Sequence, residues 1–414
     1  RARAASGSRE LGEELRALLG ATPLPDDENA RRRAILADEP VAFSRAPSVY
    51  RRLFVPSPLD IPDFYRERGV EERLLESARR WAAGVDEVAL IRGPRGSGKR
   101  TLARHLVPTR IFGVIPDLRS ESVITLNLAT VAREEAALTR ALYEALGGRG
   151  NAPECFEDLA RDLQHHERGR RVVVVEEAHR VLLRTEEGVA LAQRFFELLA
   201  ESAPTIFWLL LMDEAAADFA ATHLNLQRVA TTSVSVPEVD GAWLEAMILA
   251  RHRVSGFGLS FEPQPRGRLE RLARLQRRAP APEVVQREFF EALAAHSRHN
   301  PRAALLWWLR AVHPDPTDDS RILVSPLRGA PHPVLDGLSL EQRLLLAALV
   351  MHGSLSALQA HSILGLSLEQ TRAELAALRR RGLLEALADP PDELKLRPGA
   401  DAAVARALRH QNLV

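Results

Sequence analysis

Lysine is almost missing from this chain: of 56 basic residues only two are lysines, and the rest are arginine. A lysine kept at Lys99 points to a place where an ammonium is needed and a guanidinium does not serve. Cysteine is scarcer still. Cys155 stands alone, which excludes an internal disulfide framework, fits a reducing compartment and suits a bland residue near a helix start. An excess of one charge is also absent, since 55 acidic residues leave a formal charge of +1. That balance argues against a surface coated by nucleic acid, while a local basic patch stays open. No apolar run approaches the ~18 residues of a membrane span. The longest, Ile206–Met212, has strand length and is closed by Asp213 and Glu214. The sequence opens on Arg1 with no signal-peptide pattern, so it reads as a piece of something longer in a cytoplasmic setting.

What is present falls into five parts. At 414 residues the chain is too long for one ordinary core and predicts two or three domains. Residues 1–64 read as an irregular arm, with one helix at Arg9–Leu19 and then prolines at 23, 25, 40, 47, 56, 58 and 62. Such proline density keeps a segment extended along a neighbouring surface. Residues 65–238 alternate helices with apolar strands at Val88–Ile91, Val123–Leu128, Arg171–Val175, Thr205–Met212 and Ser233–Val236. Continuous β-branched runs between helices predict an α/β fold with a parallel sheet covered on both faces. Residues 239–313 read as all helix (Ala242–Val254, Arg266–Arg277, Glu283–Ala295, Arg302–Val312) and predict a helical lid. Residues 314–336 read as a linker. Residues 337–414 carry Ser-x-x-Gln capping boxes at Ser339, Ser356 and Ser367. A two-strand wing at Leu383–Leu396 follows, the order of a winged helix-turn-helix. Trp307 and Trp308, on the last lid helix, are expected to pack the lid against this module.

The chemistry concentrates around Lys99. The segment Gly93-Pro94-Arg95-Gly96-Ser97-Gly98-Lys99 has the spacing of a phosphate-binding loop, and it follows a strand and opens a helix. Its glycines let backbone N–H groups turn inward around an anion, and the lysine reaches the outer phosphates as a point charge. Arg100 and Thr101 continue the loop into the helix. A second motif supports the first: the Val172–Val175 strand delivers Glu176 and Glu177 at its carboxyl edge. There the first acid can hold a magnesium shell, with Thr101 as a further ligand, and the second can orient an attacking water.

The order of phosphate loop, strand with two acids, helical lid and winged helix resembles the AAA+ ATPases, over roughly residues 65–410. Within them it is most similar to the branch of origin-recognition initiators and transposition-type ATPases. The resemblance implies ATP and Mg²⁺ as cofactors, ADP as product, and catalytic roles for Lys99 and Glu177. It matches Met212 and Asp213 to the position that senses the terminal phosphate, where an amide or hydroxyl is usual. It matches Arg228 to an arginine acting across a subunit interface, which implies a homo-oligomer, and Arg302 to a lid arginine acting on the same chain's nucleotide.

Two departures concern the metal. Arg100 stands where a Ser or Thr hydroxyl binds magnesium, and Thr101 lies about 100° further round the helix. Glu176 replaces the usual Asp and is one methylene longer. Magnesium demands near-ideal geometry, so both changes fall on the same ion. The expectation is a slow or partner-activated ATPase acting as a nucleotide-dependent switch. A non-hydrolysing scaffold or signalling adaptor, and an ATP-regulated DNA-binding initiator, stand as alternatives. The start of the winged helix's third helix, Ser367–Glu374, carries two acids for one arginine, which favours protein partners over DNA. The N-terminal arm is a second surface for such partners. His296 and His299 have a spacing that metals can use, but no further ligand lies near them in sequence, and structural placement is favoured.

Overall fold

The computed structural model describes residues 46–55, 64–115, 118–165, 169–262, 281–327, 335–388 and 390–414. The expected helices at Arg9–Leu19 and Arg266–Arg277 lie outside these residues. The first unit is built on five strands: β1 (Val88–Gly93), β2 (Val123–Asn127), β3 (Arg171–Glu176), β4 (Ile206–Asp213) and β5 (Thr232–Ser235). They pair in parallel in the order β2-β3-β4-β1-β5. β4 lies at the centre and is buried at all eight positions. Its alternate residues feed two cores. Trp208, Leu210 and Met212 face the helices Glu135–Ala145, Phe156–His165 and Glu186–Ser202. Phe207, Leu209 and Leu211 face the helices Glu71–Ala82 and Lys99–Leu106. Coverage of both faces is why these strands read as unbroken apolar runs.

The second unit joins helices Gly241–Ser255, Pro282–His296 and Pro301–Ala311 to a small sheet of β6 (Gly258–Phe261), β7 (Val312–Asp315) and β8 (Asp318–Val324). The all-helix reading of 239–313 is thus corrected. Val312–Val324, split in sequence between lid and linker, forms a hairpin whose Val312, Ile322 and Val324 sit in the lid core. Its turn is held by the Asp315 carboxylate, which accepts from the Thr317 backbone N–H at 2.9 Å and its hydroxyl at 2.6 Å. The expectation for the tryptophans is also corrected. Trp308 is fully buried inside the lid, with Phe54, Phe289 and Phe290 around it at 5.8 to 6.0 Å between ring centroids. Trp307 meets His296 and Arg310. The described end of the N-terminal arm, helix Ser48–Leu53, lies on this unit and inserts Tyr50 and Phe54 into its core.

The third unit is a winged helix. Helices Leu340–His352, Ala357–Leu364 and Leu368–Arg380 lead into antiparallel strands β10 (Leu384–Ala386) and β11 (Leu394–Leu396), with β9 (Ser354–Leu355) beside β11. Ser339 and Ser356 make full capping boxes with Gln342 and Gln359. Ser367 accepts from the Gln370 N–H. Helix Asp401–His410 closes the chain. No helix among the described residues is long and apolar enough to cross a membrane.

Candidate functional site

The phosphate loop joins β1 to the helix that Lys99 opens. Gly96 and Gly98 take φ of +81° and +99°, which turns the loop back at little steric cost. At Gly96 a side chain would also collide, since a Cβ there would lie 2.8 Å from Cβ of Arg302. The lid therefore rests directly on the loop. Asn300 Nδ2 donates to the Arg95 carbonyl at 2.8 Å, and the Arg302 N–H donates to the Gly96 carbonyl at 3.3 Å. Asn300 also caps the helix that carries Arg302, accepting from the Ala303 N–H at 3.1 Å. From the other side Arg68 donates to the Ser97 carbonyl at 2.7 Å and lies 4.8 Å over the Trp243 ring.

Lys99 is enclosed by acceptors. Its Nζ donates to the Gly93 carbonyl at 2.7 Å and the Pro94 carbonyl at 3.1 Å, and pairs with Asp213 Oδ1 at 2.8 Å. Burial acts to raise the Asp213 pKa, but the Lys99 ammonium beside it outweighs burial and holds the carboxyl below its ordinary value. Asp213 ends β4 at the position matched to the phosphate-sensing residue, and it is here the lysine's partner.

The two acids ending β3 are bridged by one guanidinium. Arg100 Nε lies 2.7 Å from Glu176 Oε2 and its Nη2 lies 3.4 Å from Glu177 Oε1. Arg104 adds a contact to Glu176 Oε1 at 3.6 Å. As arranged, this donor set does not fit magnesium. The ion requires six oxygens at short distance, and here a cation already spans both carboxylates. Two positive centres at ~4 Å repel strongly even at protein-like dielectric. Thr101, the other expected ligand, lines the same cavity.

Glu177 sits in the left-handed region, φ 56° and ψ 37°, which is uncommon for a residue with a side chain. Its Oε2 and Asp213 Oδ2 each lie 3.5 Å from Nε2 of His179, which is 1% exposed. These three side chains could present one ligand atom each to a metal. However, the Asp213 N–H donates to His179 Nδ1 at 3.4 Å, which places the imidazole proton on Nε2 and directs it at the two carboxylates. Burial lowers the His179 pKa, so the ring is neutral.

Lys99, Arg100, Thr101, Glu177 and Asp213 line one cavity of about 450 Å³. Its walls come from every unit. Tyr65, Trp243, Met247 and Leu305 line it together with Arg68 and Arg251, and the phosphate loop side adds Arg95, Lys99, Thr101, Glu177 and Asp213. The winged helix contributes Gly353, Ser354, Leu387 and Lys395. It is latched there. Arg180 gives two hydrogen bonds to Glu393 at 2.8 and 3.2 Å and a third to the Ser354 hydroxyl. Arg133 donates to the carbonyls of Arg180 at 3.0 Å and of His352 and Ser354 at 2.9 Å, and to Gln359 Oε1 at 3.2 Å. Arg95 reaches the Gly353 carbonyl at 3.3 Å, and Arg302 lies 3.5 Å from Asp401.

Of the sequence-predicted residues, the loop, Thr101, Glu177 and Arg302 meet at this cavity, with Glu176 buried behind Arg100. Arg228 does not join them: it is exposed on the short helix Leu226–Val229. His296 and His299 bond backbone carbonyls at 2.8 and 2.9 Å, as structural histidines do. Arg133, Arg180 and Lys395 escaped the sequence reading. Only Lys395 carried a signal, its rarity.

The AAA domain family matches residues 84–218. No curated protein sequence matches the chain. Among solved structures, the Aeropyrum pernix ORC2 protein in ADPNP-ADP complexes is 16% identical, with 88% of this chain and 99% of that chain covered and a TM-score of 0.43. The A. pernix ORC1 protein in complex with DNA is 17% identical, with 88% and 97% covered and a TM-score of 0.42. Cdc6p from Pyrobaculum aerophilum is 14% identical, with 87% and 98% covered and a TM-score of 0.43. Residue roles accordingly rest on the geometry of this chain. A glycine loop between β1 and its helix, paired acids ending β3 and a five-stranded parallel sheet accompany the family match: residues 84–218 are an AAA domain of the P-loop type.

Proposed function

We propose that the chain is an ATP- and ADP-binding switch whose winged helix is docked by, and reports on, the nucleotide cavity. The observation that carries this reading is the cavity itself. It is walled jointly by phosphate loop, lid and winged helix, so a ligand there touches all three units at once. Its Tyr65 and Trp243 rings, with Met247 and Leu305, offer surface for a purine, and its phosphate loop and cations suit the phosphates.

Hydrolysis is slow on this reading. Glu177, to which the proposal gives the orienting of water, has one oxygen facing Arg100 and the other facing His179. Arg100 supplies positive charge where magnesium would bring its own, and it must swing away before an ion can reach Glu176. A non-hydrolysing scaffold is the second reading, favoured by that same bridge. Exposure of Arg228 supports the role of an arginine acting on a neighbouring copy, and homo-oligomerisation belongs to the proposal on that ground. The third helix of the winged helix exposes Glu369 and Gln370 beside Arg372, a face better suited to a protein partner than to a phosphate backbone.

Calorimetric titration of the full chain with ATP and ADP tests the proposal, with turnover followed by phosphate release. Lys99→Ala is expected to lose binding. A wild-type rate equal to that of Glu177→Gln would leave the scaffold reading standing, and absence of binding at millimolar nucleotide overturns both.

A further inference from the structure

Both lysines of this arginine-rich chain line the same cavity. Lys99 belongs to the phosphate loop. Lys395 lies almost three hundred residues away, in the wing. β11 holds it between Leu394 and Leu396, which pack against the winged-helix core. Side chains alternate along a strand, so Lys395 points to the opposite face. Its cross-strand neighbours in register are Glu385 on β10 and Ser354 on β9. Lys395 and Ser354 both line the cavity; Ser354 adjoins Arg180, and its neighbour Gly353 receives Arg95 of the phosphate loop. The Glu385 charge also acts on Arg95. The Lys395 ammonium pairs with Glu385 at 2.8 Å, and its side chain keeps 24% of its exposure.

We propose that Lys395 is a phosphate ligand supplied by the winged helix, which binds the outer phosphates of a nucleoside di- or triphosphate opposite Lys99. The inference rests on the nucleotide reading above and deepens it. A cross-strand pair with Glu385 is served equally well by arginine, which this chain uses at nearly every other basic position. A compact, rotatable ammonium at the wall of a phosphate-sized space is served less well by a planar fork. Glu385 holds the lysine when no phosphate claims it. A phosphate competes with Glu385 for the ammonium and ties the wing to the loop, so nucleotide strengthens docking of the winged helix.

The test is calorimetric titration of the full chain with a non-hydrolysable ATP analogue, ADP and AMP. Lys395→Ala is expected to weaken the analogue and ADP on the order of tenfold, the value of one charge-assisted contact, and to leave AMP nearly unchanged. Glu385→Gln frees the ammonium and is expected to tighten the same two ligands. A purely structural role for Lys395 moves all three ligands alike. Wild-type affinities in Lys395→Ala, with Lys99→Ala unable to bind, overturn the inference and leave the nucleotide reading intact. Failure of the wild-type chain to bind any of the three overturns the reading itself.

Discussion

Replacing Arg180 by methionine isolates the contact that holds the winged helix over the cavity. The Arg180 and Glu393 side chains are 5% and 6% exposed, so water cannot replace lost hydrogen bonds while the units stay docked. Burial acts to raise the Glu393 pKa, but Arg180 and the Ser354 hydroxyl outweigh it, and the group is a carboxylate at neutral pH. The substitution leaves that charge buried with Ser354 as its nearest donor, at 2.5 Å. Breaking a buried pair from one side costs about 3–5 kcal/mol. That shifts the ratio of docked to undocked chain by roughly 10²–10³ or more. Hydrogen exchange at residues 178–183 and 352–355 should rise together, and small-angle scattering should report a larger radius of gyration. The double variant Arg180→Met with Glu393→Leu should recover most of the loss, because two apolar groups need no partner. Unchanged exchange in the single variant, or a double variant no better than it, refutes the reasoning.

Gly353 has φ of +75°, and a Cβ there would lie 2.9 Å from His179 Nε2; Gly353→Ala should therefore loosen the same interface. That backbone, φ +75° with ψ −48°, costs a residue with a side chain about 1–3 kcal/mol, readable as a lower melting temperature. His352 is fully buried, and burial, with Arg133 beside it, pushes its pKa down to about 3 from 6.5. The undocked state takes up a proton first, so docking is undiminished above pH 6.5 and weakens as pH falls toward 3. At pH 5 the loss is ~2 kcal/mol, checked by scattering across the pH range in wild type and in His352→Gln. Finally, Arg100→Thr with Glu176→Asp should raise magnesium-dependent ATP turnover by roughly tenfold or more, because a catalytic ion then meets oxygen ligands instead of a cation. An unchanged rate of phosphate release shows that Arg100 is not what slows the site.

The parallel sheet and its loop were legible because local rules and tertiary packing agree there. Val172–Val175 is β-branched and buried on both faces, and Gly93–Lys99 has few conformations to choose from. The capping boxes at Ser339 and Ser356 announced their helices for the same reason. The lid sheet was hidden because Pro314 and Pro316 read as linker, while β6 and β8 pair across some sixty residues of sequence. The bridge from Arg100 to both acids could be suspected but not drawn, since its geometry depends on the spacing of β1 and β3 across β4. Docking of the winged helix left no local trace. Arg133 and Arg180 look like two more arginines among many, and only the fold brings them to Ser354 and Glu393.

Arg133 shows how that docking tolerates change. On the winged helix it meets two main-chain carbonyls, of His352 and Ser354, and one side chain, Gln359, so this arginine mainly recognises the path of the backbone through residues 352–354. Apart from Ser354, Gln359 and Glu393, the surface of the winged helix can therefore drift in sequence, and acquire new specificity toward partners, while its seat stays the same. Burial lowers the Arg133 pKa only to about 10, so the guanidinium keeps its charge and all its donors at neutral pH. A lysine offers three donors on one nitrogen where the guanidinium spreads five over three, and would hold fewer of these acceptors. At this latch the chain's preference for arginine is a requirement of shape.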